Sequence, residues 1–243
     1  RKCSTLPSEQ RSILHSERFP WPMKNALQQD KGSTRLNLYL LTPATLLLFL
    51  SIWIVFINPD NTADNKVFEW IAPWINDAST SWMKAITFLG NHKFLIPANL
   101  ALIAVLLLLK KGNLAWRLAL VALSSLGLKF GLKELFERPR PVDPLVQGIT
   151  NFSFPSGHAL MGVAFYGFLI WLAAKYIREK TVKTTTVIFL SLLILLISFS
   201  RIYLRVHYTT DVVAGLCIGI CWTWFCLWLT NKIEPVSGFK PEH

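Results

Sequence analysis

Charge is what this sequence has least of. Asp, Glu, Lys and Arg make up 16% of its 243 residues, against about 25% in an ordinary soluble domain. Acids are scarcest, 14 against 25 bases, for a formal net charge of +11. No cluster of Asp and Glu stands on the face expected outside the membrane, so neither Mg²⁺ nor Zn²⁺ is expected, and no cofactor is called for. Cysteine is nearly as rare. Cys217, Cys221 and Cys226 share one apolar run without a His or acid at ligand spacing, and Cys3 stands alone. That excludes a zinc site or a disulfide framework and leaves small apolar residues on a buried helix. Residues 1–37 hold no apolar stretch of the secretory kind, so no signal peptide is read there. The basic residues form no stripe interleaved with aromatics, which argues against a nucleic-acid partner.

What the chain does have is long apolar runs, with 52% hydrophobic residues. Six are long enough to cross a bilayer: 38–57, 94–109, 114–132, 158–177, 184–204 and 212–230. The fold class expected is all-α, an integral-membrane bundle of six transmembrane helices. Arg117 and Lys129, near the ends of the third run, are expected to snorkel to the interface. The basic residues fall in the tail 1–37 and in the links after spans two and four, Lys110, Lys111, Arg178, Lys180 and Lys183. The positive-inside rule makes that side cytoplasmic. Both termini then lie inside a bacterial cytoplasmic membrane, and segments 58–93, 133–157 and 205–211 face the periplasm. Residues 66–90 carry Trp70, Trp74 and Trp82 at spacings that suit an extra interfacial helix on that outer side. The expected organisation is a basic cytoplasmic tail (1–37), a six-helix membrane domain (38–232) and a short cytoplasmic tail (233–243).

Ionisable groups at membrane depth are costly and mark function by default. Three clusters fall on the outer side: "KELFERPRP" (133–141), "PSGH" (155–158) and "SRIYLRVHYTTD" (200–211). Lys133 and Arg140 are two helical turns apart, so both face one way until the prolines intervene. With Arg201 they supply three positive charges, enough for a phosphate dianion and the charge that spreads in its transition state. Ser156 and Gly157 open a helix, where free backbone N–H groups bind phosphate oxygens and Gly157 admits a close approach. His207 and Asp211, four apart, are expected on one helix face, the carboxylate orienting the ring so that its other nitrogen attacks phosphorus. His158 is then the acid that protonates the departing alkoxide and the base that activates water. A bell-shaped pH profile follows from that pairing.

The same residues carry a resemblance. Lys133 with Arg140 and Pro141, the run Pro155–His158, and Ser200–Arg201 with His207 and Asp211 are similar to the three signatures of the type 2 phosphatidic acid phosphatase superfamily. These are the lipid phosphate phosphatases. The nearest group in kind is the bacterial phosphatidylglycerophosphatase B-type enzymes, with members similar to undecaprenyl-diphosphate phosphatases. The resemblance implies a metal-independent lipid phosphatase working through a phosphohistidine on His207. It also implies phosphate contacts from Lys133, Arg140, Ser156, Gly157 and Arg201. The substrate is a membrane lipid phosphate or diphosphate, such as phosphatidylglycerophosphate, phosphatidic acid or undecaprenyl diphosphate. Partners are then that substrate and the bilayer lipids, with no obligatory protein. Phosphotransfer to another lipid, or lipid A dephosphorylation, uses the same chemistry. A vanadate-haloperoxidase-like enzyme fits the cradle but not the apolar spans, and a transporter leaves the reactive residues unexplained. Arg205 is the less standard residue, facing either a second phosphate or the headgroup region. The link 142–154 is short for a headgroup-reading domain.

Overall fold

A bilayer core offers no water to the backbone, so each apolar run must satisfy its own N–H and C=O groups, and helix is the form an isolated run can take. A computed structural model describes residues 41–57 and 61–233, and the regular elements among them are all helical. In chain order they are α1 (Leu41–Ile57), α2 (Thr62–Ile71) with a 3₁₀ turn (Ala72–Trp74), α3 (Asp77–Phe88), and α4 (His92–Leu108). Then follow α5 (Gly112–Phe136), α6 (Gly157–Tyr176), α7 (Lys180–Tyr203) and α8 (Thr209–Ile233). The expected tails, 1–37 and most of 233–243, lie outside the described residues.

Five stretches are long and apolar enough to span a membrane, and α1 with Thr62–Trp74 forms a further candidate bent by 106°. The chain is an integral membrane helical bundle. Two boundaries differ from the sequence reading. The second span is not an isolated 94–109 run, because α3 precedes α4 after a three-residue break and the two together form a candidate span, Asp77–Leu108. Residues 66–90 likewise do not form one interfacial helix. Pro73 sits in the 3₁₀ turn that closes α2, and Asn76 opens α3 through a reciprocal capping box with Ser79. The aromatic expectation holds in part. Trp70 and Trp74 meet edge-on at 4.6 Å and stay half exposed or more, while Phe68, Ile71 and Asp64 of the opposite face are buried.

Helix α6 is the hub, packed against α5, α7 and α8. Its approach to α8 depends on Gly215 and Gly219, a G-x-x-x-G pair that brings small residues to one face. A methyl at Gly215 would stand 2.6 Å from the Ser156 carbonyl oxygen, and one at Gly219 would stand 2.8 Å from Val163 Cβ. The "PSGH" turn is thereby held against the first turns of α8.

Arg117 does not snorkel. It is fully buried, donating from Nε to Asn113 Oδ1 (2.6 Å) and from Nη1 to Asn231 Oδ1 (2.6 Å) and the Thr230 hydroxyl (3.0 Å). Polar atoms from two helices give the guanidinium a better shell than the interface would. Lys129 is half-buried, its stem 3.0 Å from where a Cβ on Gly157 would stand.

Candidate active site

The first cluster converges by a route the helical spacing did not foresee. Helix α5 ends at Phe136, since Glu137 turns left-handed (φ 44°) and two prolines follow. Arg140 therefore leaves the helix that carries Lys133, and the two cations meet through the loop. Lys133 is buried and donates to the Phe152 carbonyl, which Arg140 Nη2 also reaches at 3.3 Å. Arg140 further donates to the Asn151 carbonyl (2.7 Å), to Asn151 Oδ1 (2.5 Å) and to the Val206 carbonyl. The short 142–154 link is thus part of the site, through the backbone oxygens that aim the cations.

The third cluster differs too. Helix α8 begins at Thr209, so His207 precedes it instead of sharing a helical face with Asp211. The pair still meets, His207 Nδ1 lying 3.5 Å from Asp211 Oδ2. Ser153 stands beside both, donating to Asp211 Oδ2 at 2.5 Å with its oxygen 3.3 Å from His207 Nδ1. The Tyr208 N–H also donates to Asp211 Oδ2, at 2.9 Å. On the other side of the ring, Nε2 is 3.3 Å from Arg140 Nη1. His207 is 2% exposed. Burial pushes its pKa down to about 3, the Asp211 hydrogen bond and charge resisting while Arg140 and Arg201 reinforce. The ring is therefore neutral at physiological pH. Burial also lowers Arg140, to about 10, with Asp211 opposing, which leaves it a cation.

The second cluster supplies the rest. The Ser156 N–H donates to the Asp211 carbonyl at 2.9 Å, which ties the mouth of α6 to α8. Ser156 occupies the N-cap position, yet its hydroxyl makes no capping bond. Its Oγ, His158 Nε2 and Arg201 Nε are buried atoms without a hydrogen-bond partner among the described residues. His158 lies within electrostatic reach of Arg201, His207, Arg140 and Lys129. Arg201 spends Nη1 on the Thr87 hydroxyl at 2.7 Å. Gly157 begins α6 with Lys129 across its open face.

All eight residues named from the sequence therefore belong to one end of the bundle. Ser200 does not join them, since its hydroxyl turns back to the Ile197 carbonyl at 2.6 Å. Arg205 takes a left-handed φ of 53°, with its guanidinium 6.0 Å from the Phe68 ring and Nε buried without a partner. Residues missed by the sequence reading are Ser153, Thr87, Arg138 and Asp64. Only Arg138 stood inside a quoted cluster, and nothing in its spacing distinguished it.

This arrangement presents a neutral imidazole backed by a carboxylate, a second imidazole, and three cations around unpartnered donors. Residues 114–235 match the PAP2 superfamily. The chain belongs to that superfamily. It is 31% identical over 186 residues to phosphatidylglycerophosphatase B of Bacillus subtilis, covering 73% of this chain and 89% of that protein. Lipid phosphate phosphatase delta of Arabidopsis thaliana is 30% identical over 57% of this chain and 36% of its own length. Among solved structures, a transmembrane PAP2-type phosphatidylglycerolphosphate phosphatase from B. subtilis superposes with a TM-score of 0.74 at 25% identity. The match covers 82% of this chain and all of that one. Aquifex aeolicus LpxE gives a TM-score of 0.53 at 26% identity, over 67% of this chain and 93% of its own. This PAP2 protein is a membrane phosphatase, as the sequence signatures implied.

Proposed function

We propose that this chain removes the terminal phosphate from a lipid phosphate of the phosphatidylglycerophosphate kind, through a phosphohistidine formed on His207. The observation that carries the reading is the set of unpartnered buried donors, Ser156 Oγ, His158 Nε2 and Arg201 Nε, beside the His207–Asp211 pair. Native proteins rarely leave such groups unpaired unless a ligand takes them. A phosphoryl ester suits all three, because its equatorial oxygens accept from Arg201, Ser156 and the first N–H groups of α6 while His158 faces the leaving oxygen.

In this reading His207 attacks with Nε2 while Asp211 and Ser153 hold Nδ1, and the P–O bond to the lipid breaks as the P–N bond forms. His158 gives its proton to the departing alkoxide. It then takes one from the water that cleaves the P–N bond and frees inorganic phosphate. Lys133, Arg140 and Arg201 carry the counter-charge, so activity is expected to persist in EDTA. The lipid class rests on the names of the B. subtilis relatives. The outer-side chemistry, in a bacterial cytoplasmic membrane with both termini inside, rests on the distribution of Lys and Arg.

The test is phosphate release from purified protein in mixed micelles, with phosphatidylglycerophosphate, phosphatidic acid and undecaprenyl diphosphate compared and no acceptor lipid added. Stoichiometric phosphate, fastest from phosphatidylglycerophosphate, supports the proposal. No free phosphate without an acceptor, and the phosphoryl group recovered on a second lipid when one is added, makes the chain a phosphotransferase, and a preference for the diphosphate overturns the substrate assignment.

A further inference from the structure

Arg138 had no role in the sequence reading, yet it is 6% exposed and forms ion pairs with two carboxylates, Asp64 and Asp211. Nη1 donates to Asp211 Oδ1 at 2.5 Å and to the Thr210 hydroxyl at 2.7 Å. Nη2 donates to Asp64 Oδ2 at 3.0 Å and to Asn61 Oδ1. The guanidinium lies 4.2 Å over the Tyr208 ring. Asp64, on α2, accepts in turn from the Thr210 N–H (3.0 Å) and hydroxyl (2.7 Å), so it closes the first turn of α8. One arginine thus joins two buried carboxylates, one on the helix that presents Trp70 outward and the other beside His207.

We propose that Arg138 is a positioning residue for the reaction: it locks the Asp211 carboxylate toward His207 and dilutes its charge, while Asp64 on α2 controls how much of Arg138 is available. The inference rests on the reading of His207 and Asp211 given above. The two oxygens of Asp211 divide the work. Oδ2 faces His207 Nδ1 and takes Ser153 and the Tyr208 N–H, whereas Arg138 holds Oδ1. Rotating the carboxylate breaks the ion pair, so the ring keeps one orientation.

The electrostatic consequence has a definite sign. His207 is faced by Asp211 from α8, by Arg140 from the loop after α5, by Arg201 from α7 and by His158 from α6, with Lys133 acting on Asp211 from α5. Arg138 stands behind Asp211 and offsets its negative field at the ring. Without Arg138 the imidazole holds its proton to higher pH, and the neutral nucleophile is lost sooner on acidification. Without Asp64, all of Arg138 bears on Asp211 and the change runs the other way.

The experiment is the pH profile of kcat/KM for a short-chain lipid phosphate in micelles, for wild type, Arg138→Met, Arg138→Lys, Asp64→Asn and the double variant Asp64→Asn/Arg138→Met. The double variant conserves net charge at the cluster, so it carries the test if the single Met variant does not fold. Expected are an acid limb raised by about one pH unit in Arg138→Met, a smaller rise in the double variant, a limb near the wild-type position for Arg138→Lys, and no rise for Asp64→Asn. A titrating group on the substrate does not move between variants, so the shift is assigned to the enzyme. A rate loss with an unmoved limb overturns the inference, as does a rise in Asp64→Asn equal to that of the double variant. A wild-type profile with no acid limb at all overturns the underlying site reading instead.

Discussion

Two buried arginines show how the ends of this bundle differ. Arg117, at the end of the bundle away from the site, has Nε, Nη1 and Nη2 all engaged by Asn113, Thr230 and Asn231. Arg201, at the end that carries the site, has one side-chain bond, to Thr87, and leaves Nε open. Each has desolvated a charge that costs several kcal/mol to bury unaided. The first recovers that cost within the protein and joins α5 to α8. The second recovers it only in part and stays ready for an anion. Of these two arginines, the fully partnered one is structural and the partly partnered one belongs to the site.

That contrast is broken or sharpened by substitution. The largest effect is expected at the reacting pair, where His207→Ala lowers kcat by about 10⁴-fold or more while the melting temperature in detergent holds or rises. Surviving turnover would remove His207 as nucleophile. Next comes Arg201→Met, expected to cost about 10²–10³-fold in kcat/KM with stability retained, measured by phosphate release and thermal unfolding side by side. A fall in stability with normal kcat/KM would make Arg201 the counterpart of Arg117 and erase the distinction.

The pH dependence follows in size. The His207 pKa is lowered by burial to about 3, so the neutral, nucleophilic ring persists as pH falls and protonates only near that value. The acid limb of kcat/KM for the free enzyme should therefore lie well below 6.5, the usual imidazole value. A limb at 6.5 from the enzyme itself would mean that the ring is solvated. The smallest effect on catalysis is expected at Arg117→Met. It strands the oxygens of Asn113, Thr230 and Asn231 and should cost about 1–3 kcal/mol of stability, while kcat/KM per folded molecule stays within about twofold. Sixteen residues of α5, about 24 Å at 1.5 Å per residue, separate Arg117 from Lys133.

The apolar runs and the three charged clusters were legible because membrane insertion penalises stray charge, so the charges that remain at the ends of the spans are informative. The site's members were legible for the same reason, and the geometry joining them was not. Lys133 and Arg140 meet through a loop because Glu137 ends the helix early, an event that depends on one left-handed residue. His207 and Asp211 meet around a helix start instead of along a face. Ser153 and Asp64 were invisible because a single serine or aspartate has many bland homes, and only the fold brings Ser153 against Asp211 and Asp64 against Arg138. The Gly215–Gly219 pair was readable as a close-packing signature and went unread, though it sets the separation of α6 from α8.

The most direct test of the covalent mechanism is acid-free quenching during turnover, followed by peptide mass spectrometry for a phosphoryl group that is acid-labile and alkali-stable. The prediction is a phosphoryl group on His207 of the wild type, at up to one per chain, and none in His207→Ala. Turnover that continues with no phosphoenzyme at any quench time, or with the phosphoryl group on His158, would contradict it.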